Sequence, residues 1–355
     1  MSKDLVSILP ANSNTAPSSF KLDCLTISVS YLCNLHCKHC YVPTEYRVNY
    51  KTLLAPKELK VSEMLSFADK LRDRHGLRMI SITGGEPLLN PVWPRTKALL
   101  EYANEKKMPV QINTNGAGQV PVSDVVKCLD DPKLLLFQFS LDGAKAETVD
   151  RFRGQRGFFG SLLGKINEAV KLGAVVQTRL TANRHNIDEA VDVYRLASEM
   201  SVDTFKVKPM FAAGAAIDNQ DALLGSREEV QELQERLIAL SYQTATKLSL
   251  PPPVFVNPEL HRNGNVRFGE CLCGKEWVYM SPDGDLYPCT YIVGDPISKD
   301  FVLGNVRNPN FDFEHEWVNS PAIDVFRKNT GCANCPTQNL LAKRNVDRNS
   351  STCSM

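Results

Sequence analysis

No stretch among the 355 residues comes near the ~18 consecutive apolar residues that a membrane-spanning helix needs, so no membrane span is expected. Neither sign of charge is in excess. Lys and Arg number 41 against 40 Asp and Glu, for a net charge of +1. That removes any general electrostatic pull toward nucleic acid or a membrane surface, and neither is expected as a partner. The opening residues MSKDLVSILPANSNTAPSSF lack the basic, apolar, small-residue order of a secretory signal. They read as a polar tail over residues 1–22. No internal repeat or low-complexity tract is visible. What remains is an ordinary globular balance, 43% hydrophobic and 23% charged, long enough for one large domain and a smaller one.

Cysteine is the residue in unusual supply. Eleven are present, at positions 24, 33, 37, 40, 128, 271, 273, 289, 332, 335 and 353. Without a secretory signal the expected compartment is the reducing cytoplasm, where structural disulfides are rare. Clustered cysteines in such a chain ligate metal or do redox chemistry. The clustering is strong: three lie within residues 33–40, six follow residue 270, and only Cys128 falls between.

The first two-thirds of the chain alternates strands with helices. Apolar runs predict strands at residues 25–29, 77–82, 110–112, 134–139, 175–180 and 204–207. Helical patterns fall at 61–74, 95–105, 122–129, 162–171 and 187–200. In the first of these, Ser62 is the expected cap, and Met64, Leu65, Ala68 and Leu71 share a face. Six βα steps imply an α/β fold with a parallel sheet and helices outside it. Six units suit a partial (β/α)6 TIM-like barrel better than a closed eight-stranded one, with the ligand site at the C-terminal strand ends. Residues 227–250 read as a long helical stretch, broken by PPPVFVNP. The expected division is a barrel over 23–225, a linker helix and Pro-rich connection over 226–265, a small cysteine-rich domain poor in helices over 266–340, and a polar tail over 341–355. A unit as small as the third usually needs a staple or a metal.

The first cysteine group reads Cys33-Asn34-Leu35-His36-Cys37-Lys38-His39-Cys40-Tyr41. Three thiolates on one tight loop can hold three irons of a 4Fe–4S cluster. The fourth iron is then open to a small molecule, as catalytic metal sites keep a position open. A zinc site completed by His36 or His39 is the alternative that these residues leave. Thr83-Gly84-Gly85-Glu86-Pro87 follows the second strand, Asn113-Thr114-Asn115-Gly116 the third, and Ser140-Leu141-Asp142-Gly143 the fourth. Each alone could be a plain turn or a helix cap.

In this order, at these strand ends, residues from about 23 to 340 resemble the radical S-adenosylmethionine (SAM) superfamily. The resemblance implies that Cys33, Cys37 and Cys40 carry the SAM-binding 4Fe–4S cluster, followed by the aromatic Tyr41. Gly84, Gly85 and Glu86 correspond to the family's GGE motif. The glycines let backbone approach a ligand closely, and backbone carbonyls with Glu86 can hold the methionine ammonium. Asn115 lies in the segment that the family runs along the ribose, and Ser140 and Asp142 in the motif after strand four. For the cofactor's carboxylate, Ser140, Arg153 and Arg179 are the candidates; the plain reading of either arginine is a surface ion pair. The implied activity is reductive cleavage of SAM to a 5′-deoxyadenosyl radical that abstracts a substrate hydrogen atom. A flavodoxin- or ferredoxin-type reductant is the implied partner.

The second group begins Cys271-Leu272-Cys273-Gly274 and runs through Asp283-Gly284, a hairpin signal, to Cys289. The hairpin is expected to bring Cys271 and Cys289 together. Cys332-Ala333-Asn334-Cys335 supplies a second pair. Four thiolates suit one closed 4Fe–4S cluster or one zinc. The segment resembles the SPASM/twitch extension of the superfamily, whose first element fits from either Cys271 or Cys273. The fuller SPASM form has two more cysteines, and residues 336–352 contain none. The resemblance is thus to the shorter twitch form with one auxiliary cluster, held by Cys271, Cys289, Cys332 and Cys335. Cys273 stands where the family has alanine. It is expected beside the auxiliary cluster, as an alternative ligand or as a hydrogen-atom donor to a substrate radical. Cys24 and Cys128 are expected to be inert buried residues, and Cys353 to have no role.

Three outcomes can follow hydrogen abstraction in this branch: loss of an electron to the auxiliary cluster, return of hydrogen from a thiol, or fragmentation. The first gives oxidation or a crosslink and the second epimerisation. Peptide modifiers of the branch often begin with a peptide-recognition domain, and only about 22 residues precede the barrel here. The expected substrate is accordingly a small hydroxylated or aminated natural-product intermediate. The alternative is maturation of a ribosomally made peptide. A zinc-binding scaffold or electron carrier is the reading from a different class.

Overall fold

The structure, a computed structural model, describes residues 20–222, 227–251, 265–269, 271–293, 295–328, 335, 337 and 339–340. Cys332, Cys353, most of the N-terminal tail and the C-terminal tail lie outside these residues.

β1 (Cys24–Ser28), β2 (Met79–Thr83), β3 (Val110–Thr114), β4 (Leu135–Ser140), β5 (Val175–Ala182) and β6 (Thr204–Pro209) pair in sequence order, all parallel. Their continuous apolar runs are explained by burial on both faces, as helices cover one side of a parallel sheet. The helices between them lie close to the expected spans: α3 (Val61–His75), α4 (Trp93–Glu105), α5 (Val122–Val126), α7 (Phe159–Lys171) and α8 (Ala190–Glu199). Three helices come unannounced by the sequence reading: α1 (Thr44–Val48), α2 (Tyr50–Leu53) and α6 (Ala146–Arg153). At α3 the cap differs from expectation. Ser62 lies inside the first turn, and the Glu63 carboxylate accepts the Lys60 N–H at 2.6 Å.

The sheet runs beyond these six strands. Residues 227–250 are not one helix: α9 (Arg227–Ser241) stops, and β7 (Lys247–Leu250) pairs in parallel with β6. Lys247-Leu248-Ser249-Leu250 alternates half-buried and buried positions, the two-residue period of a strand. β8 (Val266–Phe268) adds a further parallel strand. On the opposite side, β9 (Trp277–Met280) pairs in parallel with β1, aligning Cys24 with Trp277. β10 (Asp285–Tyr287) and β11 (Gly304–Asn305) follow antiparallel, giving an eleven-stranded sheet. The cysteine-rich segment is thereby built into the barrel's own sheet. It also carries α10 (Phe313–Asn319) and α11 (Pro321–Lys328), with Phe313, Trp317, Ile323 and Phe326 buried. No helix among the described residues is long and apolar enough to cross a membrane.

The β9–β10 hairpin forms at the expected turn. The Ser281 N–H donates to the Asp285 carbonyl at 2.9 Å, and Gly284 takes φ +95, a conformation that glycine alone adopts readily. Far along the chain, Arg307 ties this region back to the barrel: its Nε donates to Glu63 at 2.7 Å and its Nη1 to the Lys57 carbonyl at 2.7 Å.

Candidate active site

The C-terminal ends of the strands surround a cavity of about 250 Å³. Cys33, Cys37 and Cys40 line one part of its wall, and Cys273 and Cys289 another. Tyr41, Gly84, Gly85, Asn115, Ser140, Arg153 and Arg179 also face it; Glu86, Asp142 and Cys271 do not.

The loop of the first three cysteines is clamped by the turns after four strands. After β2, the Gly85 N–H donates to the Ser30 carbonyl at 2.8 Å and the Glu86 N–H to the Leu32 carbonyl at 2.9 Å. A Cβ on Gly84 would stand 2.1 Å from the Ser30 oxygen, and one on Gly85 2.1 Å from the Leu32 oxygen. The two glycines are therefore demanded by backbone meeting backbone at the cysteine loop, a closer partner than the ligand expected there. After β3, Asn115 Nδ2 reaches Cys33 Sγ at 3.6 Å and Asn34 Oδ1 at 3.3 Å, and Asn34 returns a hydrogen bond to the Ala117 carbonyl at 2.8 Å. After β4, α6 delivers Arg153, whose Nη1 donates to Cys37 Sγ at 3.7 Å. The Phe152 and Arg153 carbonyls accept from Lys38 and His36, and the Phe152 ring stacks on His39 at 4.5 Å. After β6, the Ala215 N–H donates to the Cys40 carbonyl at 2.8 Å.

Two of the expected binding groups, Glu86 and Asp142, also brace the turns. Glu86 is 1% exposed. Its carboxylate accepts from the Leu88 N–H at 3.0 Å, the Thr114 hydroxyl at 2.8 Å and the Asn115 N–H at 2.7 Å. It locks the β2 turn to the β3 turn. Asp142 pairs with Arg153 and accepts the Thr181 N–H at 2.7 Å. Arg153 does make an ion pair, as its plain reading had it, but a buried one. Asp142 and Cys37 raise its pKa against the opposing effect of burial.

Burial dominates the titration of the three thiols, pushing Cys33 up to about 12 and Cys40 up to about 11. His39 is driven down to about 3 by burial and by Arg153, so it stays neutral. N–H donors at sulfur, here Asn115, Arg153 and the Leu35 N–H, are what a metal-bound thiolate uses to offset its charge. The donor set therefore fits an iron–sulfur cluster. Among the described residues no three His, Cys, Asp or Glu side chains gather as they would around a single ion.

In the second group, the Cys271, Cys273 and Cys289 thiols are close enough to shift one another's titration. Cys271 and Cys289 are held below the ordinary thiol range and Cys273 is pushed above it. The hairpin brings Cys273 and Cys289 to the cavity wall. Gly274, at φ +70, packs against Phe326 and fixes the entry to β9. Of the spare cysteines, Cys24 is buried in β1 with its pKa pushed up to about 12. Cys128 is only half-buried, its thiol 3.3 Å from the Asp124 carbonyl.

Three cations in the cavity wall were missed from sequence: Arg47, Lys206 and Lys208. The two lysines could have been found, since β6 alternates half-buried and buried residues through Lys206-Val207-Lys208. Arg47 belongs to α1, which has no strong periodic signal.

The Radical SAM superfamily model matches residues 27–202, and an iron–sulfur cluster-binding domain model, SPASM, matches residues 271–336. The mycofactocin maturase MftC of Mycobacterium ulcerans is 27% identical over 321 residues, covering 88% of this chain and 79% of that protein. The AdoMet-dependent heme synthase of Methanosarcina barkeri is 26% identical over 308 residues, covering 83% and 81%. The crystal structure of Streptococcus suis SuiB superposes with a TM-score of 0.66 at 18% identity, covering 87% of this chain and 68% of that one. With both domain models in order along the chain and the cysteine loop built as described, this protein belongs to the radical SAM superfamily, in the branch that carries a C-terminal SPASM-type iron–sulfur domain.

Proposed function

We propose that this enzyme modifies a ribosomally made peptide by a radical reaction, and that Cys271, Cys289, Cys332 and Cys335 hold an auxiliary 4Fe–4S cluster that takes an electron from the substrate radical. The observation that carries the reading is the shared cavity: thiols of both cysteine groups line one space of about 250 Å³. When bound, the first cluster and SAM supply a 5′-deoxyadenosyl radical that removes one hydrogen atom from the substrate. The chain's own residues position and shield. Cys33, Cys37 and Cys40 carry the cluster, the backbone of residues 83–85 takes the methionine ammonium, and Ser140 with Arg179 takes its carboxylate. Tyr41 and Tyr291 meet edge to face at 5.8 Å and close the wall between the two cysteine groups.

A peptide is favoured over the small hydroxylated or aminated substrate expected from sequence. MftC is named a maturase, and the solved relatives include SuiB with a precursor peptide and anSMEcpe with AdoMet and a peptide. The heme synthase relative supports a small-molecule substrate as the second reading. Oxidation is favoured over epimerisation because a protein-closed cluster can accept an electron. Cys273, which lines the cavity, is the residue that would return hydrogen if epimerisation holds instead.

The test is anaerobic turnover of the reconstituted enzyme with dithionite and SAM against two substrate panels, precursor peptides and tetrapyrroles. The expected result is 5′-deoxyadenosine together with a peptide lighter by two hydrogen atoms. An unchanged mass with one solvent deuterium incorporated in heavy water, lost in Cys273→Ala, would replace oxidation by epimerisation. No change in the peptide, with turnover of a tetrapyrrole instead, would overturn the peptide reading.

A further inference from the structure

The cavity reaches into a polar part of the barrel, where such folds are ordinarily packed with branched apolar side chains. Ser81 of β2, Gln111 and Asn113 of β3 and Gln138 of β4 all line it. One backbone carbonyl fixes which way each of these amides faces. Asn113 Nδ2 donates to the Ile82 carbonyl at 3.0 Å, an atom that only accepts. It donates to Ser81 Oγ at 3.0 Å as well. Asn113 Oδ1 must then accept, so Gln111 and Gln138 each turn Nε2 toward it, Gln111 at 2.7 Å. Gln138 Oε1 in turn accepts from Gln177 Nε2 at 2.6 Å.

The chain of amides leaves two groups unfilled. Gln111 is 8% exposed and Ser81 4%. Gln111 uses one N–H on Asn113, and its carbonyl oxygen accepts from nothing among the described residues. Ser81 Oγ accepts from Asn113, and its own hydroxyl hydrogen has no acceptor among the described residues. Polar groups this buried are destabilising until they are paired. Ser81 and Gln111 stand abreast in the register of β2 and β3, on strands about 4.8 Å apart. One O–H donor and one C=O acceptor therefore lie side by side. Thr26, Leu136 and Val175 continue this row across β1, β4 and β5, and none is charged. An ion seated there would lose its water without gaining a counter-charge. The group that fits is neutral, with an acceptor and a donor on two neighbouring atoms, which describes an amide. Its oxygen takes the Ser81 hydroxyl, and its N–H meets Gln111 Oε1.

We propose that Ser81 and Gln111 form a seat for an amide group of the substrate. Gln111 lies four residues before Asn115, so the seat is roughly 13 Å deeper in the barrel than the turn that holds the cysteine loop. The proposal rests on the radical SAM reading of this cavity. An amide reaches the seat as a side-chain carboxamide or as a backbone peptide group, and two probes separate these sources.

The test uses the full chain, reconstituted with iron and saturated with SAM, under anaerobic saturation-transfer NMR. The probes are propionamide, N-methylpropionamide and butanone. Butanone is propionamide with a methyl group in place of NH2, so it keeps the acceptor and lacks the donor. Propionamide is expected to bind about three- to tenfold more tightly than butanone, the scale of one neutral hydrogen bond. Gln111→Leu should remove that preference and leave butanone within about twofold of its wild-type affinity. Ser81→Ala should weaken both by a similar factor, since both carbonyls use the hydroxyl. The dissociation constant for SAM is expected to stay within about twofold in each variant. N-methylpropionamide binding as tightly as propionamide assigns the seat to a peptide backbone, and its failure to bind assigns it to a side-chain carboxamide. Equal binding of propionamide and butanone to the wild-type protein overturns the proposal. So does a Gln111→Leu variant that weakens the two alike. A wild-type protein that takes up no iron or binds no SAM fails the radical SAM reading itself, a result visible before any probe is added.

Discussion

The two cysteine groups face each other across one cavity but are built in different ways. The first loop is held by other parts of the barrel. The turns after β2, β3, β4 and β6 each contribute hydrogen bonds to it, and glycines at 84 and 85 let backbone meet backbone. Its thiols reach protein donors. In the second group, no hydrogen bond from the barrel to the Cys271, Cys273 or Cys289 thiols is found among the described residues, and these thiols shift one another's titration. The contrast teaches that the first loop is shaped by the barrel itself, whereas the described thiols of the second group have less support of that kind.

The predictions that break this contrast run from large effects to small. Cys40→Ala should abolish 5′-deoxyadenosine formation and remove about four irons per chain, because an open cluster cannot spare one of its three ligands. Asp142→Ala leaves a buried guanidinium unpaired, at a cost of about 3–5 kcal/mol in denaturant unfolding. A surface-like loss below ~1 kcal/mol would contradict the buried pair. Gly85→Ala and Gly274→Ala sharpen the comparison. A Cβ at residue 85 would sit 2.1 Å from the Leu32 oxygen, and one at residue 274 would sit 2.6 Å from Phe326 Cβ with φ at +70. Each should cost on the order of 1–3 kcal/mol. The first should lower iron at the SAM site and the second iron at the auxiliary site, read separately by electron paramagnetic resonance. The mildest change is Gly164→Ala within α7, where a new Cβ meets nothing within 4 Å. It should raise stability by about 0.5–1 kcal/mol with both clusters unchanged.

Much of this was legible in the sequence. The apolar runs of β1 to β6 and the placement of each motif at a strand end follow from periodicity and turn chemistry. Cys33, Cys37, Cys40, Tyr41, Asn115, Ser140, Arg153 and Arg179 all reach the cavity. What sequence could not give was partnership. The protein partners of the Glu86 and Asp142 carboxylates, such as the Asn115 and Thr181 N–H groups, lie on or after neighbouring strands and carry no local signal. β7 was read as helix because four alternating residues after a long helix carry too little pattern to mark a strand. The parallel pairing of β9 with β1 joins segments some 250 residues apart, which no local signal encodes. Lys206 and Lys208 belong to no motif, and only the pairing of β7 with β6 places their strand in the interior of the sheet.

The most direct test of a cavity served by two separately built iron–sulfur sites is a count of iron and of 5′-deoxyadenosine in Cys289→Ala beside the wild-type enzyme. The wild type should hold about eight irons per chain, and the variant about four while still cleaving SAM. A variant that kept all its iron, or one that lost SAM cleavage together with it, would contradict the account.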